Sequence, residues 1–124
     1  MQPQTILLIT SRPGQLHHLA QAIGNDPASN LMIVSSLQEA VAAFENESPV
    51  LAVVDHRVGD DTGLDVIRRL INVNAFVHTA ILSDCDEDEF HRTSEGLGIL
   101  TRLPLQPEPT DVQRLFSALR RLQP

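Results

Sequence analysis

Val50-Leu51-Ala52-Val53-Val54-Asp55 is the stretch on which the fold turns. Five apolar residues run without a polar interruption, as expected of a strand covered on both faces rather than one with a wet side. A carboxylate, Asp55, closes the run. Outward from it lie similar segments: Ile6-Leu7-Leu8-Ile9, Leu31-Met32-Ile33-Val34, Phe76 to Leu82 and the short Ile99 to Leu103. These are read as five strands.

Helical periodicity fills the intervals. Pro13 suits a first helical turn, and Leu16, Leu19, Ala20 and Ile23 follow before Gly24 and Asn25 stop the helix. Ser36 and Glu39 make a capping-box pattern ahead of Leu37, Ala40, Val41 and Phe44. After a polar loop, Thr62 caps a helix carrying Leu64, Ile67 and Ile71 on one face. The segment Asp86 to Glu95 holds one large apolar residue, Phe90, and predicts a short helix with acids at its amino end. Thr110 and Gln113 again fit a capping box, before the stripe Val112, Leu115, Phe116, Leu119 and Leu122. That stripe reads as core. Strands alternating with helices predict an α/β fold, a doubly wound five-stranded parallel sheet forming a single domain over residues 1–124.

Composition narrows the function classes. The chain is 42% hydrophobic and carries one cysteine, Cys85, so a sizeable core is expected and a disulfide framework is excluded. The net charge of −7 disfavours direct nucleic-acid binding, and all nine basic residues are arginine. No apolar run is long enough for a membrane span or a signal-peptide core, which makes the cytoplasm the expected compartment. Histidines at 17, 18, 56, 78 and 91 show no zinc-site spacing and read as ordinary surface or boundary residues. In open parallel sheets, sites form beyond the carboxyl ends of the strands. Thr10-Ser11-Arg12, Asp55-His56-Arg57, Ser83-Asp84 and Leu103-Pro104 are therefore expected to converge on one pocket.

Over essentially its full length the chain resembles the receiver domain of bacterial two-component response regulators. The most specific stretch runs from Val53-Val54-Asp55 to Gly63-Leu64, similar to the block in which the phosphoacceptor aspartate ends the third strand and a glycine follows. Ser83, after Ala80-Ile81-Leu82, matches the switch hydroxyl, and Gly96 through Pro104 resembles the passage to a proline that commonly follows a cis peptide. The resemblance implies strand order 2-1-3-4-5 and Asp55 as the phosphorylation position. It also implies magnesium held by an acid pair, a lysine on the phosphoryl group, and an aromatic switch residue. The chemistry needs cations because two anions must meet in line.

Here the sequence departs from the pattern. The acid pair falls on Thr10 and Ser11, with Arg12 next; the lysine falls on Leu103 and the aromatic on Leu100. No lysine exists anywhere in the chain, and Arg102 should point to the opposite face from its neighbour. The remaining magnesium ligands would be Asp55 and a backbone carbonyl such as that of Arg57, while Asp60 and Asp61 read as a solvated turn. No cofactor is expected, magnesium entering only if the phosphorylation site is functional. Thr10 to Gly14 reads first as a degenerate loop, while its hydroxyls, guanidinium and helix start also suit a weak anion site or an Arg12–Asp55 ion pair fixing one state.

Three function classes follow. The first is a phosphorelay receiver with impaired phosphorylation at Asp55; the second is a phosphorylation-independent interaction module, or pseudo-receiver. The third, an enzyme or an anion- or flavin-binding open-sheet protein, is disfavoured. Strand one ends without an aspartate, the loop after it lacks a hydroxyl-rich phosphate cradle, and neither Trp nor Tyr is present for stacking. A non-enzymatic signalling domain is the reading carried forward. Its expected partners are proteins, a sensor kinase or a downstream signalling protein, with a homodimer through the face of helix four, strand five and helix five. No output segment is expected beyond the last helix near Leu122, so the chain acts alone through partners or is a piece of something longer.

Overall fold

The structure, a computed structural model, describes residues 4–122 of the chain. Strands β1 (Gln4–Ile9), β2 (Ser29–Val34), β3 (Leu51–Val54), β6 (His78–Leu82) and β7 (Thr101–Leu103) form one parallel sheet in the order β2-β1-β3-β6-β7. Counting these five alone, this is the expected order 2-1-3-4-5. Between them run a 3₁₀ turn (Pro13–Leu16) leading into α1 (His17–Gly24), then α2 (Leu37–Asn46), α3 (Gly63–Val73), α4 (Glu87–Thr93) and α5 (Pro109–Leu122). None of these helices is long and apolar enough to cross a membrane.

The central strands alternate between two cores because successive side chains leave a strand on opposite faces. Leu7, Ile9, Ala52, Val54 and Ile81 pack against Ala40, Phe44, Val66, Ile67 and Leu70 of α2 and α3. Ile6, Leu8, Leu51, Val53, Ala80, Leu82 and Leu103 pack against Leu16, Leu19 and Ile23 on one helix side and Val112, Leu115 and Leu119 of α5 on the other. A sheet buried on both faces explains why β3 is uninterrupted hydrocarbon.

Caps follow the sequence with shifts. The Ser36 hydroxyl accepts from Glu39 N at 3.1 Å, and the Glu39 carboxylate reaches back to Ser35 N at 3.1 Å, one residue earlier than the standard box. Thr62 caps α3 by accepting from Asp65 N at 3.2 Å. At α5 the expected Thr110–Gln113 box does not form. Pro109 begins the helix and the Asp111 carboxylate accepts from Glu108 N at 2.9 Å, because proline at the first position fixes the start two residues earlier.

Two strand starts and one loop are corrected. Phe76 lies outside β6 and is 93% exposed, its N–H donating to Asn74 Oδ1 at 2.9 Å in a tight turn. Ile99 and Leu100 precede β7, which begins at Thr101. The polar loop after β3 is a small antiparallel ribbon, β4 (Arg57–Val58) with β5 (Asp61–Thr62), whose connection is made by Gly59 at φ +62°. That ribbon delivers Gly63 against the back of the site. A Cβ at Gly63 would stand 2.3 Å from the Asp55 carbonyl oxygen, so only glycine lets α3 begin there. No cis peptide bond occurs among the described residues.

Candidate functional site

Asp55 follows β3 with its backbone N–H bonded to Ile9 O at 2.9 Å, and the residue is completely buried. Its carboxylate is met from three directions. Arg12 straddles it, Nε donating to Oδ2 at 2.8 Å and Nη2 to Oδ1 at 3.0 Å. Thr10 Oγ1 donates to Oδ2 at 2.7 Å. The backbone N–H of His56 donates to Oδ1 at 2.8 Å, and the His56 ring nitrogen Nδ1 lies at the same distance from Oδ1.

The local chain explains this convergence. Pro13 opens the 3₁₀ turn, which leaves Arg12 as the capping residue just before it. Thr10 Oγ1 accepts from Arg12 N at 3.0 Å while donating to Asp55, so one hydroxyl sets both the loop and the carboxylate. The guanidinium is held on its far side as well. Nη2 donates to Leu105 O at 3.0 Å, and with the Gln106 amide oxygen turned inward Nη1 donates to it at 3.1 Å. Arg12 thus ties the loop after β1 to the end of β3 and the loop after β7.

Burial pushes the Asp55 carboxyl upward, but hydrogen bonds from Arg12, His56 and Thr10 and from the His56 backbone outweigh it, and the group sits below its ordinary 3.8. The same hydrogen bond to Asp55 raises Arg12, against the opposing pull of desolvation. An ionised carboxylate only accepts, so His56 Nδ1 carries the proton. With about four lone-pair directions on two oxygens, five donors leave the carboxylate no open electron pair for attack on an incoming group.

The residues present do not fit a magnesium ion. The expected acid positions are Thr10, which is buried and bonded to Asp55, and Ser11, which is exposed. The guanidinium of Arg12 rests on the oxygens a dication would need. Among the described residues no group of three His, Cys, Asp or Glu side chains is placed to hold a metal.

The expected four-way pocket is divided. Thr10, Arg12 and Asp55 meet, while Ser83, Leu103 and Pro104 line a separate hollow of about 320 Å³ with Cys85 and Arg102. Ser83 Oγ lies 2.9 Å from Cys85 Sγ and accepts from Cys85 N at 3.2 Å, so its hydroxyl serves its own loop. Leu103 is fully buried in the α1 and α5 core, and Pro104 is exposed. Arg57 is exposed on β4. Arg102, on the opposite face from Leu103 as its strand position predicts, donates Nη1 to Cys85 O and stacks over the Phe90 ring at 5.5 Å. Leu100 is half-buried at the margin of the α5 core.

Of the three readings of Thr10 to Gly14, the degenerate loop read first is corrected: the ion pair is formed, and its guanidinium is committed inward. Sequence reading missed three partners. His56 is expected at the pocket as part of Asp55-His56-Arg57 but without a role of its own, although its place directly after a strand-end carboxylate is a usable signal. The Leu105 carbonyl and the Gln106 amide carried none, since backbone acceptors and surface amides have no sequence signature.

No protein-family model and no curated protein sequence matches the chain. Solved structures do. A CheY-like response regulator receiver domain protein from Methanospirillum hungatei superposes with a TM-score of 0.82 at 18% identity, over 96% of this chain and 95% of that one. The chemotaxis protein CheY4 of Vibrio cholerae gives a TM-score of 0.82 at 11% identity, covering 94% and 98%. A response regulator of Burkholderia pseudomallei, solved with a phosphorylated aspartic acid, gives 0.75 at 18% identity over 94% of this chain and 66% of that one. Sheet order, helix placement and these superpositions agree: the chain has the receiver-domain fold of response regulators.

Proposed function

We propose that this chain is a receiver-fold signalling module that works without phosphorylation of Asp55, a pseudo-receiver engaging protein partners. The observation that carries this reading is the two-point clasp of Arg12 on a buried Asp55. In a phosphorelay receiver the aspartate must present a free oxygen to a phosphoryl donor beside a dication. Here that oxygen pair is saturated by the chain's own side chains. The counter-charge is covalently part of the domain, so the pocket holds its state without a phosphoryl group on Asp55.

In this role the protein is a single cytoplasmic domain, not an enzyme, and its partners are proteins rather than nucleic acid or membrane. A sensor kinase or a downstream signalling protein is the partner class that the fold suggests. The face formed by α4, β7 and α5 is the surface proposed for docking or self-pairing. Its groove includes Phe90, Ile99, Leu100 and Arg102.

The test is direct. The chain is incubated with acetyl phosphate and magnesium, and in parallel with beryllofluoride and magnesium. Intact mass and the amide signals of Thr10, Arg12, Asp55 and His56 are followed. No acyl-phosphate adduct and no saturable shift are expected. A stoichiometric adduct, cleaved by alkali and lost in Asp55→Asn, would overturn the reading and restore an ordinary phosphoacceptor.

A further inference from the structure

We infer that His56, not Asp55, is the nucleophile of this site, its Nε2 accepting a phosphoryl group from a phosphoramidate-class donor while Asp55 serves as a positioning residue. The inference rests on the preceding reading, because a carboxylate engaged as described is available to act on a neighbouring ring.

The geometry is that of a carboxylate–imidazole dyad. Asp55 Oδ1 lies 2.8 Å from His56 Nδ1 and also accepts from the His56 backbone N–H at 2.8 Å, so the ring is fixed at two points relative to the carboxylate. A carboxylate at Nδ1 selects the tautomer whose lone pair is on Nε2. Nε2 has no hydrogen bond among the described residues, and the side chain is 37% exposed, so the ring is open to solvent. Among the described residues the other four histidines, 17, 18, 78 and 91, have no carboxylate within hydrogen-bond distance; His91 has only a long 3.9 Å approach to Glu87. Arg12 and Thr10 keep Asp55 ionised and stationary, which preserves the dyad.

The transfer balances without a base. The Nε2 lone pair forms the new N–P bond as the donor's P–N bond breaks, and that electron pair departs on the amine nitrogen, which in protonated phosphoramidate leaves as neutral ammonia. No proton has to leave the imidazole. The ring gains positive charge as the bond forms, and the buried carboxylate opposite Nδ1 stabilises that charge, as it does for an imidazolium in a hydrolase triad. No metal enters the step.

The experiment uses the whole chain with phosphoramidate, and the labelled position and rate are read by peptide mass spectrometry under alkaline handling. His17, His18, His78 and His91 serve as internal standards in the same molecule. His56 is expected to be labelled about tenfold or more faster than those four, with an advantage that Asp55→Asn removes. The adduct should survive alkali and decay in acid. Equal labelling of all five histidines, or none at His56, overturns this inference and leaves the pseudo-receiver reading standing. An alkali-labile adduct located on Asp55, in a parallel sample kept near neutral pH, overturns both. His56→Gln, which leaves the Arg12 and Thr10 contacts in place, should abolish the fast phase without altering the circular dichroism spectrum.

Discussion

Asp55 illustrates how one buried charge can organise a site and be silenced by it. Removing one member of a buried ion pair leaves the other desolvated without compensation, which is costlier than the pair's net contribution. Arg12→Ala should therefore destabilise the domain by about 3 kcal/mol in urea unfolding. Arg12→Lys should recover less than half of that, since a single ammonium cannot span both oxygens as the planar fork does. A cycle with Asp55→Ala should return a coupling of about 2 kcal/mol. Coupling near zero would mean the clasp is not formed in solution. Acid gives a second view of the same residue. The folded-state pKa of Asp55 lies below its ordinary 3.8. Its contribution is complete above that ordinary value and is lost as pH falls from it through the folded value. The urea midpoint should fall over that interval, and Asp55→Asn should flatten this part of the profile. An unchanged slope in the variant would assign the acid loss to other carboxylates.

At the scale of elements, Gly63 is where sequence pattern and physics coincide. The spacing from Asp55 to Gly63 was legible as part of a resemblance, and the structure supplies its cause: the start of α3 passes so close to the Asp55 carbonyl that a methyl group has no room. Gly63→Ala should cost about 2–3 kcal/mol, as forced overpacking against backbone does, and should shift the amides of Asp55 and His56. A neutral substitution would show that the two elements separate easily. The opposite extreme is α4. It has seven residues, none of them buried, and it is tied down through Phe90 and the Arg102 that stacks on it. Arg102→Ala should speed hydrogen exchange from Glu87 to Thr93 while leaving β6 protected; uniform protection would disprove the clamp. The strands and the order of helices could be read in advance, because uninterrupted apolar runs and periodic stripes are one-dimensional signals of two-sided burial. The ribbon at Arg57 to Thr62 could not, since two-residue strands have no period, and Ser83 turned to Cys85 because a short local bond outcompeted a reach across the sheet.

The whole molecule carries a net charge of −7, yet its acids do not converge where the fold would use them. They are spread over α2, the ribbon, α3, α4 with its preceding loop, and the start of α5, while among the described residues Asp55, already matched by a guanidinium, is the carboxylate at the mouth of the sheet. This separates two effects of magnesium that are otherwise confused. A diffuse ionic atmosphere relieves self-repulsion, and sodium chloride at equal ionic strength does the same. A site binding the native state instead adds RT ln(1 + [L]/Kd), about 2.7 kcal/mol at a hundredfold excess over Kd. The unfolding midpoint should therefore move equally in the two salts at matched ionic strength, with less than about 0.3 kcal/mol between them. Leu103→Lys should not create a difference, because position 103 lies in the hydrocarbon core against α5, where an added charge meets Leu115 and Leu119 rather than Asp55. A magnesium-specific rise in the wild-type midpoint, saturating at millimolar concentration, would mean that the clasp opens readily enough for a dication to displace Arg12. The fixed charge would then be a competitor for the pocket instead of its permanent occupant.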